Sequence, residues 1–129
     1  MRIITGTARG KKLQSLEGER VRPTPDRVKE ALFNIIQFDL EGRRVLDLFA
    51  GSGQLGLEAI SRGAREAVFV DSSRDSVSAV EKNIAATGFG QQSKVVNADF
   101  ASFLSRNPEP FDIAFLDPPY RCRLYTSPS

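Results

Sequence analysis

From Arg44 onward, short apolar runs alternate with segments of helical periodicity, and this alternation limits what the chain can fold into. The runs are VLDLF (45–49), AVFVD (67–71), KVVN (94–97) and DIAFLD (112–117), with helical patterns near Leu55 to Ser61, Arg74 to Ala86 and Phe100 to Leu104. Strands separated by helices imply a parallel sheet with helical crossovers, an α/β fold of the doubly wound, mostly parallel kind. Such sheets bind ligands beyond the carboxyl ends of their strands. All four strands place an aspartate at or just beyond that end: Asp47, Asp71, Asp99 and Asp117.

The 129 residues, 40% hydrophobic and 26% charged, suffice for one core, so a single domain over 1–129 is expected. Within it, residues 1–40 read as a basic amino-terminal extension, 41–120 as the cofactor-binding core and 121–129 as an atypical tail. RIIT (2–5) and KLQSL (12–16) suggest a short β-hairpin. In VRPTPDRVKEALFNII, Thr24 suits a helix cap, Pro25 a first helical position and Asp26 a first turn. Val28, Ala31, Leu32, Ile35 and Ile36 then share a face expected to lie on the core. Residues 1–29 hold eight Lys or Arg against three acids, a net +5, so the rest of the chain carries −3. A basic arm on a mildly acidic body suits a polyanion such as nucleic acid, although a solvated face has the same composition.

With one cysteine, Cys122, and no histidine, neither an internal disulfide nor a zinc cluster is available, and no metal is expected. No apolar run approaches the roughly 18 residues of a membrane helix, and MRIITGTARGKK lacks a signal-peptide core. A cytoplasmic chain with no membrane partner is the expectation. Its chemistry must run on carboxylates, hydroxyls and backbone.

Between the first strand and the next helix, LDLFAGSGQLG places Gly51, Gly53 and Gly56 in G-x-G-x-x-G spacing. Such a loop lets a ligand approach the backbone, and it serves NAD and S-adenosylmethionine equally; a tight turn with no ligand also fits. The acids discriminate better. Asp47, four residues before Gly51, has the wrong charge for a pyrophosphate and the right one for the ammonium and sulfonium of S-adenosylmethionine. Asp71 can accept from both ribose hydroxyls of either cofactor. Asp99 can accept from an adenine amino group or cap the helix that follows.

The fourth strand ends in LDPPY, Leu116 to Tyr120. Two prolines stiffen the turn and leave carbonyls free to accept. If Asp117 and the Pro118 carbonyl each accept a proton from an exocyclic NH₂, the nitrogen moves toward tetrahedral geometry and its lone pair can attack a methyl group. Tyr120 would stack on the base, worth about 1 to 3 kcal/mol.

These segments resemble class I S-adenosylmethionine-dependent amino-methyltransferases with the [N/D]-P-P-[Y/F] motif. With VRPTPDRVKEALFNII ahead of LDLFAGSGQLGLEAISRGA, VFVD and FLDPPY, the chain is similar to the bacterial 16S rRNA guanine-N2 methyltransferases of the RsmD family over about residues 1 to 120. The resemblance implies a Rossmann-like fold in which Asp47, Gly51 and Gly53 line the methionine end of S-adenosylmethionine, Asp71 the ribose, and Asp99 with the Phe100 N–H the adenine. It implies that Asp117, Pro118 and Tyr120 hold the target guanine, that Arg22 and Arg27 contact RNA, and that 16S rRNA or a small ribosomal subunit particle is the partner. After Tyr120 the chain departs from the family pattern with RCRLYTSPS, so the sheet is expected to be truncated after its fourth strand, with that strand an exposed apolar edge. Two competing readings are an NAD-dependent oxidoreductase, which leaves Asp47 and DPPY unexplained, and a catalytically silent RNA-binding fragment.

Overall fold

A computed structural model describes residues 1–15, 25–106 and 108–117. Thr24, Arg22, Pro118, Tyr120 and the tail 121–129 lie outside the described residues. Four strands form one parallel sheet: β1 (Arg44–Asp47), β2 (Glu66–Asp71), β3 (Ser93–Asn97) and β4 (Ile113–Phe115), in the order β3-β2-β1-β4. β1 is paired on both sides, Leu46 facing Val68 on β2 and Ala114 on β4. The chain therefore moves outward from β1 in one direction and returns to its other side, and such a switch, here between β1 and β4, is where open α/β sheets bind ligands, at the carboxyl ends of the strands. Asp47 ends β1 there, and Asp117 follows β4 by two residues.

Alternation along the strands sends apolar side chains to both faces, as a sheet covered on both sides requires. Val45, Ala67 and Phe69 join one core with Leu55, Leu57, Val80 and Ile84 from α2 (Gln54–Ser61) and α3 (Arg74–Thr87). Leu46, Val68 and Val70 face the other way, against Phe103 of α4 (Phe100–Ser105). β4 pairs with β1 alone among the described residues, and Leu116 beyond it is 63% exposed. Arg44 secures its approach, donating to the Glu109 and Pro110 carbonyls while its backbone N–H meets Asp112 Oδ2 at 2.8 Å.

The amino-terminal segment is part of the body. Arg2 and Lys12 form an antiparallel bridge, the Ile3 N–H meets the Lys11 carbonyl at 2.9 Å, and Ile3 and Leu13 are buried in the main core. α1 (Asp26–Ile36) begins one residue later than the sequence suggests, with Pro25 at its cap. Its buried face also differs from the expected one. Lys29 and Phe33 point inward with Leu32 and Ile36 beside them, whereas Val28 and Ala31 are exposed and Ile35 is 78% exposed. Counting apolar residues misplaces the stripe because a buried carboxylate, Glu58 of α2, holds Lys29 inside, and Phe33 packs on Phe115 at 5.5 Å between ring centroids.

Two loop glycines answer to packing. Gly53 has φ +84° and caps α2, and a Cβ on Gly56 would lie 2.4 Å from Cε2 of Phe69, a ring with no room to retreat. Gly56→Ala is expected to cost about 1 to 3 kcal/mol through overpacking, measured by urea unfolding. A variant as stable as the wild type would show that Phe69 can shift.

Candidate active site

The three glycines of the loop spend their backbone N–H groups inside the protein. The Gly51 N–H donates to Asp71 Oδ2 at 2.9 Å, the Gly53 N–H to the Ala50 carbonyl at 2.7 Å, and the Gly56 N–H to Asp47 Oδ2 at 3.0 Å. A loop that cradles a pyrophosphate points such donors at the ligand. Here two of the three already face carboxylates. The loop's surroundings are electronegative, which suits a ligand with a positive end.

Asp47 is 2% exposed. Burial pushes its carboxyl up from the ordinary 3.8 to about 7, opposed by the Gly56 N–H and reinforced by the charges of Asp117 and Asp71. These three expected acids therefore share one field at the β1–β4 crevice. Asp71 braces the loop: besides Gly51, its Oδ1 accepts from the Ser73 N–H at 2.9 Å. A carboxylate has about four lone-pair sites, so both oxygens keep capacity for hydroxyl donors. Asp99 takes the capping role, its Oδ1 accepting from the Ser102 N–H at 2.8 Å at the start of α4. It reaches the same edge because Ala98 N–H and Asn97 Nδ2 both donate to the Asp71 carbonyl. Phe100 is half exposed, its ring 5.6 Å from that of Phe49, two residues before Gly51. Arg27 is exposed on the first turn of α1. Among the described residues no cluster of histidine, cysteine or acids is placed to hold a metal, and no helix is long and apolar enough to cross a membrane.

The family model described as conserved hypothetical protein 95 matches residues 1–128. The chain belongs to this family, the RsmD family. It is 41% identical over 127 residues to "Ribosomal RNA small subunit methyltransferase D" of Haemophilus influenzae, covering 96% of this chain and 66% of that protein. The Escherichia coli K12 protein of the same name is 43% identical over 121 residues, covering 94% and 61%. A solved Escherichia coli structure, "Putative methyltransferase yhhF", superposes with a TM-score of 0.83 at 41% identity, covering 97% of this chain and 67% of that one. The fold is the Rossmann-like class I methyltransferase fold. The chain spans about three-fifths to two-thirds of the length of these relatives.

Several residues that tie the glycine loop of this RsmD-family chain to its surroundings carry no motif signal. Asn83 of α3, 1% exposed, accepts from the Gln14 N–H at 2.7 Å and donates through Nδ2 to the carbonyls of Gln14 and Ser52, joining the amino-terminal segment to the glycine loop. A polar residue within the core-facing run Ala79, Val80, Asn83, Ile84 is the hint that the sequence offers. Lys29 and Glu58 form a buried ion pair, Nζ to Oε1 at 3.6 Å, hidden in the sequence because charged residues normally mark solvent. The basic arm is accordingly smaller than its composition: Lys29 is interior and Arg2 pairs with Asp26 at 3.7 Å, while Arg9, Lys11, Lys12 and Arg27 remain exposed.

The raised value at Asp47 has a consequence for stability. The unfolded chain loses this proton near pH 4 and the folded chain near pH 7, so the contribution is fully present below about pH 4 and falls as the pH rises through about 7. Asp47→Asn keeps an acceptor for the Gly56 N–H without the charge. Relative to the wild type, the variant should gain on the order of 2 to 4 kcal/mol between pH 4 and pH 8, read by urea unfolding at each pH. A difference independent of pH would place the Asp47 charge in water.

Proposed function

We propose that the crevice at the carboxyl ends of β1 and β4 binds S-adenosylmethionine, and that the chain belongs to an enzyme that methylates the exocyclic N2 amine of a guanine in 16S rRNA. The observation that carries this reading is the pairing of a buried Asp47 with a glycine loop whose N–H groups are turned inward. A pyrophosphate would meet repulsion from Asp47 and Asp71, whereas an ammonium or sulfonium gains by their field. The names of the relatives, small-subunit rRNA methyltransferases, agree with it. This supports the cytoplasmic setting expected from the sequence.

The residues fit such a ligand by their chemistry. Asp47, Gly51 and Gly53 would hold its methionine end, Asp71 its ribose through the acceptor capacity its two backbone bonds leave, and Asp99 with Phe100 its adenine. When bound, S-adenosylmethionine supplies an electrophilic methyl group. Asp117 would accept a hydrogen bond from the target amine and thereby localise the nitrogen lone pair, with Pro118 and Tyr120, which lie outside the described residues, as the further expected contacts of the base. The methylated nitrogen is cationic and sheds its proton readily, so positioning and the Asp117 carboxylate suffice without histidine. Arg22 and Arg27, with the exposed Arg9, Lys11 and Lys12, would contact phosphates, making RNA affinity fall with salt. The target guanine must leave its stack to reach Asp117.

Calorimetric titration should show S-adenosylmethionine binding and no binding of NAD. Asp71→Ala should weaken the former by at least about 1 to 3 kcal/mol, since it removes a charged acceptor and the brace of Gly51. NAD binding without S-adenosylmethionine binding would sink the reading. Asp117→Ala should lower single-turnover methylation of small-subunit rRNA much more than it changes cofactor affinity. A near-normal rate would remove Asp117 from the chemistry, and RNA binding with no methyl transfer by the wild type would favour a purely binding role.

A further inference from the structure

Lys29 and Glu58 are wholly enclosed, and their partners come from separate parts of the chain. The Lys29 ammonium donates to the Arg2 carbonyl at 2.8 Å, lies 3.6 Å from Glu58 Oε1, and makes a longer contact of 3.4 Å to Gln54 Oε1. Gln54 is the first residue of α2 and directly follows Gly53. Glu58 in turn accepts from the Ile4 N–H at 2.9 Å, the Thr5 N–H at 3.0 Å and Arg62 Nε at 2.8 Å. Arg62 covers the ring of Phe33 on α1. One enclosed ionic cluster thus joins the basic amino-terminal segment, α1 and the turn of α2 that grows out of the glycine loop.

An enclosed charge that loses its partner is strongly penalised, so these segments cannot shift independently. The tightest bond of the ammonium is to the amino-terminal segment, and its two longer contacts are to α2. A ligand that draws the glycine loop and Gln54 together shortens the path to Lys29, and a polyanion that fixes the segment fixes the Arg2 carbonyl from the other side. Asn83 makes a parallel neutral link between Gln14 and Ser52.

We propose that Lys29 is a positioning residue that couples the RNA-facing amino-terminal segment to the glycine loop, so that a ligand in the loop and RNA on the segment strengthen each other's binding. The inference rests on the reading of the site given above. Coupling of this kind is reciprocal and commonly reaches 5-fold or more in affinity.

The test measures the affinity of the full chain for a small-subunit rRNA transcript with and without saturating S-adenosylhomocysteine, and the converse titration. The wild type is expected to show the same enhancement, about 5-fold or more, in both directions. In Lys29→Met/Glu58→Gln, which removes both enclosed charges together, each ligand should still bind alone while the enhancement falls to within about 2-fold of none. Gln54→Met cuts only the link between Lys29 and the loop and leaves the charges paired. It should lose most of the enhancement too, the Asn83 link between Gln14 and Ser52 carrying the remainder, and it decides the matter if the double variant has no cooperative thermal transition. A wild type that binds both ligands without enhancement overturns the inference and leaves the site reading standing, as does a folded Gln54→Met that retains the enhancement. A wild type that binds neither ligand overturns both.

Discussion

The hydrogen bond between the Gly56 N–H and the buried Asp47 carboxylate joins the middle strand of the sheet to the first turn of α2. The bond gives a helix-terminal donor an acceptor and places an acid under the glycine loop. That acid sits where water cannot solvate it and where Asp71 and Asp117 oppose its ionisation. Without a ligand the group holds a proton up to about pH 7, and a cation in the crevice would release it. The acceptor thus serves the fold through the Gly56 N–H, while its charge is a cost that a cation beside it would offset.

Around that bond the chain closes a second circuit. The amino-terminal segment, which composition alone presents as a loose basic arm, is tied to α2 through Glu58 and to α3 and the loop through Asn83. Its exposed cations therefore project from a base fixed to α2 and α3. A polyanion bound to Lys11 or Lys12 would lie against a segment that shares buried bonds with the glycine loop.

The strands and the helices between them were legible in the sequence because their periodicities are driven by burial on both faces of a parallel sheet; AVFVD differs from β2 by one residue at its start, whereas VLDLF and DIAFLD run on past β1 and β4, which end at Asp47 and Phe115. The positions of the acids at the strand ends were legible for the same reason, but their structural duties were not: Asp47 and Asp71 accept from N–H groups of the glycine loop, and Asp99 caps α4. The face of α1 was not. Apolar counting favoured Val28 and Ile35, and the decisive interaction is an ion pair between Lys29 and a residue 29 positions away. The inward use of the glycine N–H groups was likewise invisible, because G-x-G-x-x-G spacing is the same whether the donors face a phosphate or a carboxylate. Asp99 resolves an open choice in part: it caps α4, and that bond does not consume its remaining acceptor capacity.

The proton held by Asp47 is the most direct handle on what the glycine loop binds. Titrating the chain with S-adenosylmethionine at pH 6, in buffers of different ionisation enthalpy, counts the protons exchanged on binding. With the folded value at about 7, close to one proton should be released by the wild type and none by Asp47→Asn. Binding with no proton release by the wild type would mean that the ligand's positive end does not meet Asp47, and would contradict the account.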